Sequence, residues 1–464
     1  MNETAGATRR TAQRARIRQY LSKRAEFDAW PLVCAPCDGI ETAVVIPALA
    51  ECDNLLRTLR SLSENSADEL RRTLVVCVVN NRADADLQDI ADNARALVML
   101  EAAVRGDRQP ELDGAVAKGL RLAYVDASSP GFELPAKRGV GTARKIGLDW
   151  ATSVLDSTSA VPGILISLDA DTIVEPAYLE SLRATMERGG AWAAAIPYAH
   201  GLEGAPDETS AIICYEIFLR YYVLGLAHAG SPYAFHSIGS AMACTTDAYA
   251  AVSGMNHRMA GEDFYFLQQL AKTGSVRTVH GTVVHPSPRA SHRVPFGTGQ
   301  RVRRFLDASQ DEYLLYAPES FAILKAWLTE VCKNPQETAE TLGKFARGLS
   351  PTLSHFLDKQ EFATVWPRLQ RNARDSMQLV EQFHRWFDGF RTLKLVHALR
   401  DEELPLCNMF EAVATLLEWS GHAFTPRPSA AMRGDIDAQI ALLRHLRSIE
   451  QTAVRMFERG NASE

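Results

Sequence analysis

Three runs of β-branched and aliphatic residues, "TAVVIPA" from Thr42, "TLVVCVV" from Thr73 and "GILISLD" from Gly163, are separated by segments with helical periodicity. Apolar runs this short and continuous suit strands covered on both faces, and their alternation with helices predicts an α/β sheet with parallel strands. Between the first two, "ECDNLLRTLRSLSE" offers Asp53 as a helix N-cap and Leu55, Leu56, Leu59 and Leu62 as one apolar stripe. The alternation runs from about Thr42 to His285. From about Phe305 amphipathic helical patterns such as "EAVATLLEW" and "AQIALLRHLRSIEQTAVRMF" take over. The expected organisation is therefore a basic N-terminal segment over 1–40, an α/β domain over 41–304 and a helical C-terminal domain over 305–464.

At 464 residues the chain exceeds what one hydrophobic core usually holds, in keeping with more than one domain. A hydrophobic fraction of 46% with 23% charged residues excludes a disordered chain, and a net charge of -6 gives no reason to expect nucleic acid as a partner. The first segment, "MNETAGATRRTAQRARIRQYLSKR", is basic but lacks the apolar core of a signal peptide, so a cytoplasmic protein with reduced cysteines is expected. That segment reads as a solvated helix or frayed tail in preference to a contact with anionic lipid. The most apolar stretch, "AIICYEIFLRYYVLGLAHAG" from Ala211, is interrupted by Glu216 and Arg220 and reads as a partly buried helix, not a membrane span. Cys34 and Cys37 form a CxxC with no second pair at finger spacing, which reads as incidental and not as a zinc site.

Polar residues collect where the strands end. After the first strand come Pro47, Ala48 and Glu51, where a dinucleotide-binding oxidoreductase would carry GxGxxG; that class is disfavoured. Asn80, Asn81 and Arg82 end the second strand and could hydrogen-bond a base or ribose, or simply form a polar turn. In "PAKRGVGTARKIGLDWA" a glycine-rich turn precedes a helix, with Thr142 as a cap and Lys137 and Arg144 near an N-terminus suited to phosphate. "GILISLDADT" ends on Asp169 and Asp171, a D-x-D that can bind Mg²⁺ or Mn²⁺ at a strand end and so relieve the repulsion between its carboxylates. "GEDFYFLQQL" puts Glu262 and Asp263 at a helix start, where Asp263 could serve as a base. "VVHPSPR" closes a strand on His285, an imidazole that could complete a metal site, and Arg289, Arg293 and Arg301 follow as candidate phosphate clamps.

The order of "VVIPALAE", "GVGTARKIGLDWA", "SLDADT", "GEDFYFLQQL" and "VVHPSPR" resembles the family 2 type of glycosyltransferase with the GT-A fold, over about residues 42 to 304. The resemblance implies transfer of a sugar from a UDP-, GDP- or dTDP-sugar to an acceptor hydroxyl with the help of Mn²⁺ or Mg²⁺. The family's D-x-D falls on Asp169 and Asp171, its metal-binding histidine on His285, and its E-D motif on Glu262 and Asp263, the second matching the catalytic base of an inverting enzyme. Asp169 counts with the donor-binding residues as well, beside Pro47, Ala48, Glu51, Asn80, Lys137, Arg144, Arg289 and Arg293. "HSIGSAMACTTDAYAAVSGM" resembles the acceptor-side segment, with Gly239 and Ser240 near the sugar.

The sequence departs from the pattern in two places. Asn80 and Asn81 stand where family members often have an aspartate, and Arg304 replaces the tryptophan of a Q-x-x-R-W motif. Without membrane spans a processive polymer synthase is disfavoured; contact with a membrane surface and homodimerisation through the helical region are further expectations. "EAAVRGDRQPELDGAVAKG" reads as an insertion between strands. Two alternatives stay open: a retaining enzyme similar to glucosyl-3-phosphoglycerate or mannosylglycerate synthases, and a catalytically inactive nucleotide-binding scaffold. A sugar nucleotidylyltransferase is disfavoured because "GVGTAR" lies far beyond the first strand.

Overall fold

The apolar runs become the centre of an eight-stranded sheet. In the computed structural model, residues 2–35, 38–107, 109–155, 163–187, 190–289 and 297–460 are described, with backbone alone for 2–10 and 451–460. The strands are β1 (Leu32–Cys34), β2 (Thr42–Ala48), β3 (Thr73–Asn80), β4 (Arg121–Ala127), β5 (Ile164–Ser167), β6 (Ile173–Val174), β7 (Ala193–Ala195), β8 (Met242–Thr245), β9 (Val276–Thr278) and β10 (Val284–His285). The sheet order is β1-β4-β3-β2-β5-β8-β7-β9, while β6 and β10 form a separate ribbon. Strands β4, β3, β2 and β5 run parallel, and β1 and β8 pair antiparallel to their neighbours. Every residue of β2, β3 and β5 is buried, which is why these strands read as unbroken apolar runs.

Helices Cys52–Leu62, Leu87–Arg105 and Val140–Val154 supply the crossovers of the parallel core. One detail of the sequence reading changes here. Glu51, not Asp53, precedes the first of these helices; Asp53 lies in its first turn, while Leu55, Leu59 and Leu62 are buried as expected. The segment read as an insertion between strands does lie between β3 and β4, where it forms the end of the long crossover helix Leu87–Arg105 and the short helix Asp113–Ala117. Helix Val140–Val154 lies hard against the sheet at Gly147, where an added Cβ would sit 2.4 Å from Val45 Cγ1 and 2.9 Å from Val78 Cγ2. No other residue allows that approach without displacement.

The basic N-terminal segment is a helix, Asn2–Lys23, whose last turns dock on the sheet domain. Tyr20 is buried, and its hydroxyl donates to Asp149 Oδ1 at 2.5 Å while accepting from Lys145 Nζ at 2.7 Å. Tyr249, the Glu26 N–H and Lys145 Nζ also donate to Asp149, which fills that carboxylate's capacity inside the protein. Gly254, with φ +76°, leaves the space that the Tyr20 ring occupies. Reading this segment as a solvated helix or frayed tail is therefore corrected for its second half, where one turn is tied into the core.

The chain divides into two compact units. One holds 1–201 and 237–288; the other holds 202–236 together with the chain from 298 onward. A single cut at 304 thus misplaces helix Pro206–His228, which belongs to the helical unit. There Ile213, Ile217 and Tyr221 share a core with Phe321, Trp327, Trp366, Phe383 and Phe410. Gly225 lets the Phe321 ring lie against the backbone of that helix. As the sequence predicts, this helix is partly buried, although by length and composition alone it is apolar enough to cross a membrane. Its two interrupting charges are buried and paired: Glu216 Oε1 accepts from Arg220 at 2.7 Å and from Arg447 at 2.7 Å.

Candidate active site

Strand β2 has β3 on one side and β5 on the other, so the order of connection reverses between β2 and β5. In open α/β sheets the crevice beyond the carboxyl ends at such a reversal is where ligands bind. β2 ends there at Pro47 and Ala48, and β5 delivers Asp169 two residues past its last strand position. Pro47 is tolerated in a central strand for a geometric reason. Val45 O accepts from Leu168 N, so Pro47, two residues on, faces the same neighbour beyond the last β2–β5 pair and owes that ladder no N–H.

The turn Asp169–Thr172 is closed by a hydrogen bond from Thr172 N to Asp169 O. It is also held from below. Thr58 Oγ1 on helix Cys52–Leu62 donates to Ala170 O at 2.8 Å, and Ser167 Oγ donates to Gly239 O at 2.8 Å. These two hydroxyls fix the D-x-D and the segment beside it, and nothing in their sequence context announced them.

Arg144 is the centre of the site. It projects from the first turns of helix Val140–Val154 and is 3% exposed. One terminal nitrogen donates to Asp169 Oδ1 and the other to Glu262 Oε1. Gly239 lies flat against the guanidinium, since a Cβ there would overlap Arg144 Nη2. Arg144 Nε and the neighbouring Ser240 Oγ are buried without a hydrogen-bond partner, so both donors are uncommitted within the protein. The sequence places Arg144 near a helix N-terminus suited to phosphate; in the fold its two terminal nitrogens are spent on carboxylates, and the cation beside the aspartate pair is a guanidinium.

Glu262 and Asp263 open helix Glu262–Thr273, as the sequence predicts, with Gly261 at φ +70° turning the chain into it. Glu262 is buried on Arg144, which leaves Asp263 as the carboxyl not tied to that arginine by a hydrogen bond. Burial pushes the Asp263 carboxyl above the ordinary aspartate range; Arg144 and the Phe264 N–H, 2.7 Å from Oδ1, pull it down, and Asp169 pushes it up again. An aspartate raised in this way is a better proton acceptor than one in water.

The β6–β10 ribbon pairs His285 with Ile173, which brings the imidazole alongside the D-x-D turn. His285 Nδ1 lies 3.0 Å from Ala199 O, to which it donates. Nε2 faces Glu175 Oε1 at 3.6 Å, and Glu175 Oε2 accepts from Val283 N. Among the described residues no three His, Cys, Asp or Glu side chains converge as a metal site, so Asp169, Asp171 and His285 do not stand as a ready triad. The reason is visible at two of them: Asp169 is turned to Arg144, and the His285 ring is oriented between Ala199 and Glu175. The chemistry of the donor set nonetheless fits a hard cation. Mg²⁺ and Mn²⁺ are commonly held by one or two protein groups, with waters and substrate phosphate completing the shell, and a backbone-anchored imidazole is the form that ligates.

The remaining candidates spread out. Glu51 is buried and bound to Asn54 Nδ2 at 2.6 Å. Asn80 is buried at the end of β3, where Asn93 Nδ2 donates to its carbonyl and to Asn81 Oδ1. Asn93 also accepts from Ala50 N, so one side chain ties the loops after β2 and β3 together. Lys137 is exposed. Arg289 falls in the helical unit and Arg293 lies outside the described residues. Arg301 is engaged by Glu312 and stacked on the Phe218 ring at 4.3 Å, and Arg304 shares that glutamate.

No protein-family model and no curated protein matches the chain. Among solved structures it is similar to residues 1–349 of S. aureus TarS in complex with UDP-GlcNAc, at 12% identity and TM-score 0.35, covering 90% of this chain and 92% of that one. It is also similar to the mannosyltransferase PcManGT from Pyrobaculum calidifontis in complex with GDP-Man and Mn²⁺, at 14% identity and TM-score 0.34, covering 97% and 96%. A third is glucosyl-3-phosphoglycerate synthase from Mycobacterium tuberculosis with Mn²⁺, UDP-glucose and phosphoglyceric acid, at 16% identity and TM-score 0.31, covering 58% and 78%. With TM-scores from 0.31 to 0.35 these similarities assign no function to this chain. Its own residues have to.

Proposed function

We propose that the protein transfers a sugar from a nucleotide-sugar donor to an acceptor hydroxyl, with inversion at the anomeric carbon and Asp263 as the base. One observation carries this reading: a carboxyl with a raised pKa stands at the opening of helix Glu262–Thr273, linked through Arg144 to the D-x-D at the carboxyl end of β5. Asp263 accepts the proton of the acceptor hydroxyl as the oxygen attacks, and its raised pKa favours that transfer. Arg144 holds Asp169 and Glu262, and so fixes the distance between the donor-side turn and the base. Gly239 lies against Arg144, and the Ser240 hydroxyl beside it has no protein partner and is available to a sugar. Asp171 and His285 are the residues that would hold Mn²⁺ or Mg²⁺, whose charge would neutralise a departing diphosphate.

Thermal melting with UDP, GDP and dTDP and their sugars, each with Mn²⁺ or EDTA, on wild type and Asp171→Ala, tests the donor side. A ligand at a hundred times its Kd should add about 2.7 kcal/mol and raise the midpoint by a few degrees. The expected result is a Mn²⁺-dependent shift with one nucleotide that the variant loses. No shift with any nucleotide removes the reading. Product stereochemistry by NMR then tests the base, since retention of configuration points to chemistry that does not use Asp263.

A further inference from the structure

The docked N-terminal segment reaches the loop that carries the candidate base at two points: Tyr20 fills the space at Gly254, and Glu26 extends to His257. Glu26 Oε2 accepts from Arg138 Nη1 at 2.6 Å, just before helix Val140–Val154, and Glu26 Oε1 lies 2.9 Å from His257 Nε2. A carboxylate only accepts, so the His257 proton sits on Nε2. Burial holds the His257 pKa down, more than Glu26 raises it, so the ring is neutral and Nδ1 is an acceptor. That nitrogen lies 3.4 Å from Thr142 Oγ1, in the third position of the same helix. The imidazole is therefore a bridge between Glu26 and the helix that bears Arg144.

The loop after His257 continues the chain of contacts to the site. Gly141 passes so close to it that a Cβ would meet Arg258 O at 2.5 Å and Asn256 O at 2.8 Å. Asn256 Oδ1 accepts from Arg258 N, and Asn256 Nδ2 donates to Glu262 O at 2.9 Å. The Arg258 guanidinium stacks on the Tyr265 ring, 3.6 Å from its centroid, one turn into the helix that begins at Glu262. From Glu26 the contacts run through the imidazole and the turn 256–261 to the Glu262 carbonyl, one residue before the base.

We propose that Glu26 is a positioning residue for Asp263, so that the N-terminal segment is part of the catalytic apparatus although it precedes the α/β core. The proposal rests on the glycosyltransferase reading for its catalytic meaning and on the geometry alone for the coupling. Glu26 and Arg138 retain 27% and 33% side-chain exposure, and ion pairs of that kind add little to global stability. What they supply is the placement of the turn.

Hydrogen exchange of the native protein separates these effects. Glu26→Ala and His257→Ala are compared over 256–263, with 164–171 as the internal reference and the melting midpoint measured alongside. Each variant should speed exchange over 256–263 about tenfold with the reference unchanged, and the double variant should add little to either, because both remove one bridge. Donor turnover should fall between about tenfold and a hundredfold in kcat, with the donor KM changed less. Exchange that stays at the wild-type rate, or that rises equally in the reference, overturns the proposal, as does a loosened turn with undiminished kcat. If the wild type turns over no nucleotide sugar, the glycosyltransferase reading falls, and the exchange measurement still decides whether Glu26 holds the turn.

Discussion

Each unit of the molecule buries arginine against carboxylates, and the two clusters are built to opposite rules. In the helical unit Arg220 and Arg447 face Glu216 and Glu450, and His236 Nε2 lies 2.8 Å from Glu450. The charges balance. Burial pushes the Glu450 carboxyl up, but His236 and Arg220 outweigh it and hold the group below the ordinary glutamate range. In the α/β unit one arginine, Arg144, serves Asp169, Glu262 and the nearby Asp263, and it keeps Nε uncommitted. Here the carboxylates exceed the cations, and the pKa of Asp263 moves the other way. A balanced cluster spends its charges on holding helices together; an unbalanced one keeps a proton acceptor in reserve.

Asp263→Asn should separate the two rules most sharply. A general base contributes on the order of 10² to 10⁴ in rate, or about 3 to 5 kcal/mol of barrier, and a steady-state assay with the donor found by melting should show that loss in kcat. Stability should respond in the other direction. Because the folded state raises this pKa, the folding advantage is complete below the ordinary aspartate value and disappears as pH rises through the raised one. Above the raised value ionised Asp263 is therefore a cost, and there the asparagine variant should melt no lower than wild type. A marked fall in the midpoint would make Asp263 a structural group and erase the contrast.

Glu216→Ala should do the reverse. It leaves Arg220 and Arg447 buried without their shared carboxylate, which costs about 3 to 5 kcal/mol, readable as a lowered denaturant midpoint. The Glu450 contribution has the sign opposite to that of Asp263: it is present above the ordinary glutamate pKa and lost as pH falls through the lowered one. A helical unit that resists acid would contradict this. Gly147→Ala should be the mildest change, about 1 to 3 kcal/mol, because the Val45 and Val78 side chains must yield to the new methyl. If the two rules hold, it lowers turnover through the helix that carries Arg144 as well as stability.

The buried strands β2, β3 and β5 were legible because burial on both faces leaves continuous apolar runs. The acids at Asp169, Glu262 and Asp263 were legible because they interrupt such runs or open a helix. The partner of those acids was not. Arg144 sits beside glycines at a helix start, which is what a phosphate site also looks like, and only the fold reveals that Gly239 leaves the guanidinium room to turn inward. Glu26, Thr58 and His257 carry no local signal either, because their roles depend on contacts across more than a hundred residues. Helix Pro206–His228 misled by its neighbours in sequence: it sits between segments of the sheet, yet its apolar circumference requires a helical core.

The ribbon between Ile173–Val174 and Val284–His285 has two residue pairs. Side chains in a strand alternate between faces, so a slip of a single residue would carry the imidazole to the opposite side and put Val284 in its place. Two pairs cannot by themselves forbid that slip. The register rests on the anchors around it: Val283 N on Glu175, Val284 N on Pro197 O, and His285 Nδ1 on Ala199 O. The spacing from Gly281 to His285 is therefore under a stricter length constraint than its exposed turn suggests. An insertion there would be a change of chemistry before it was a change of fold.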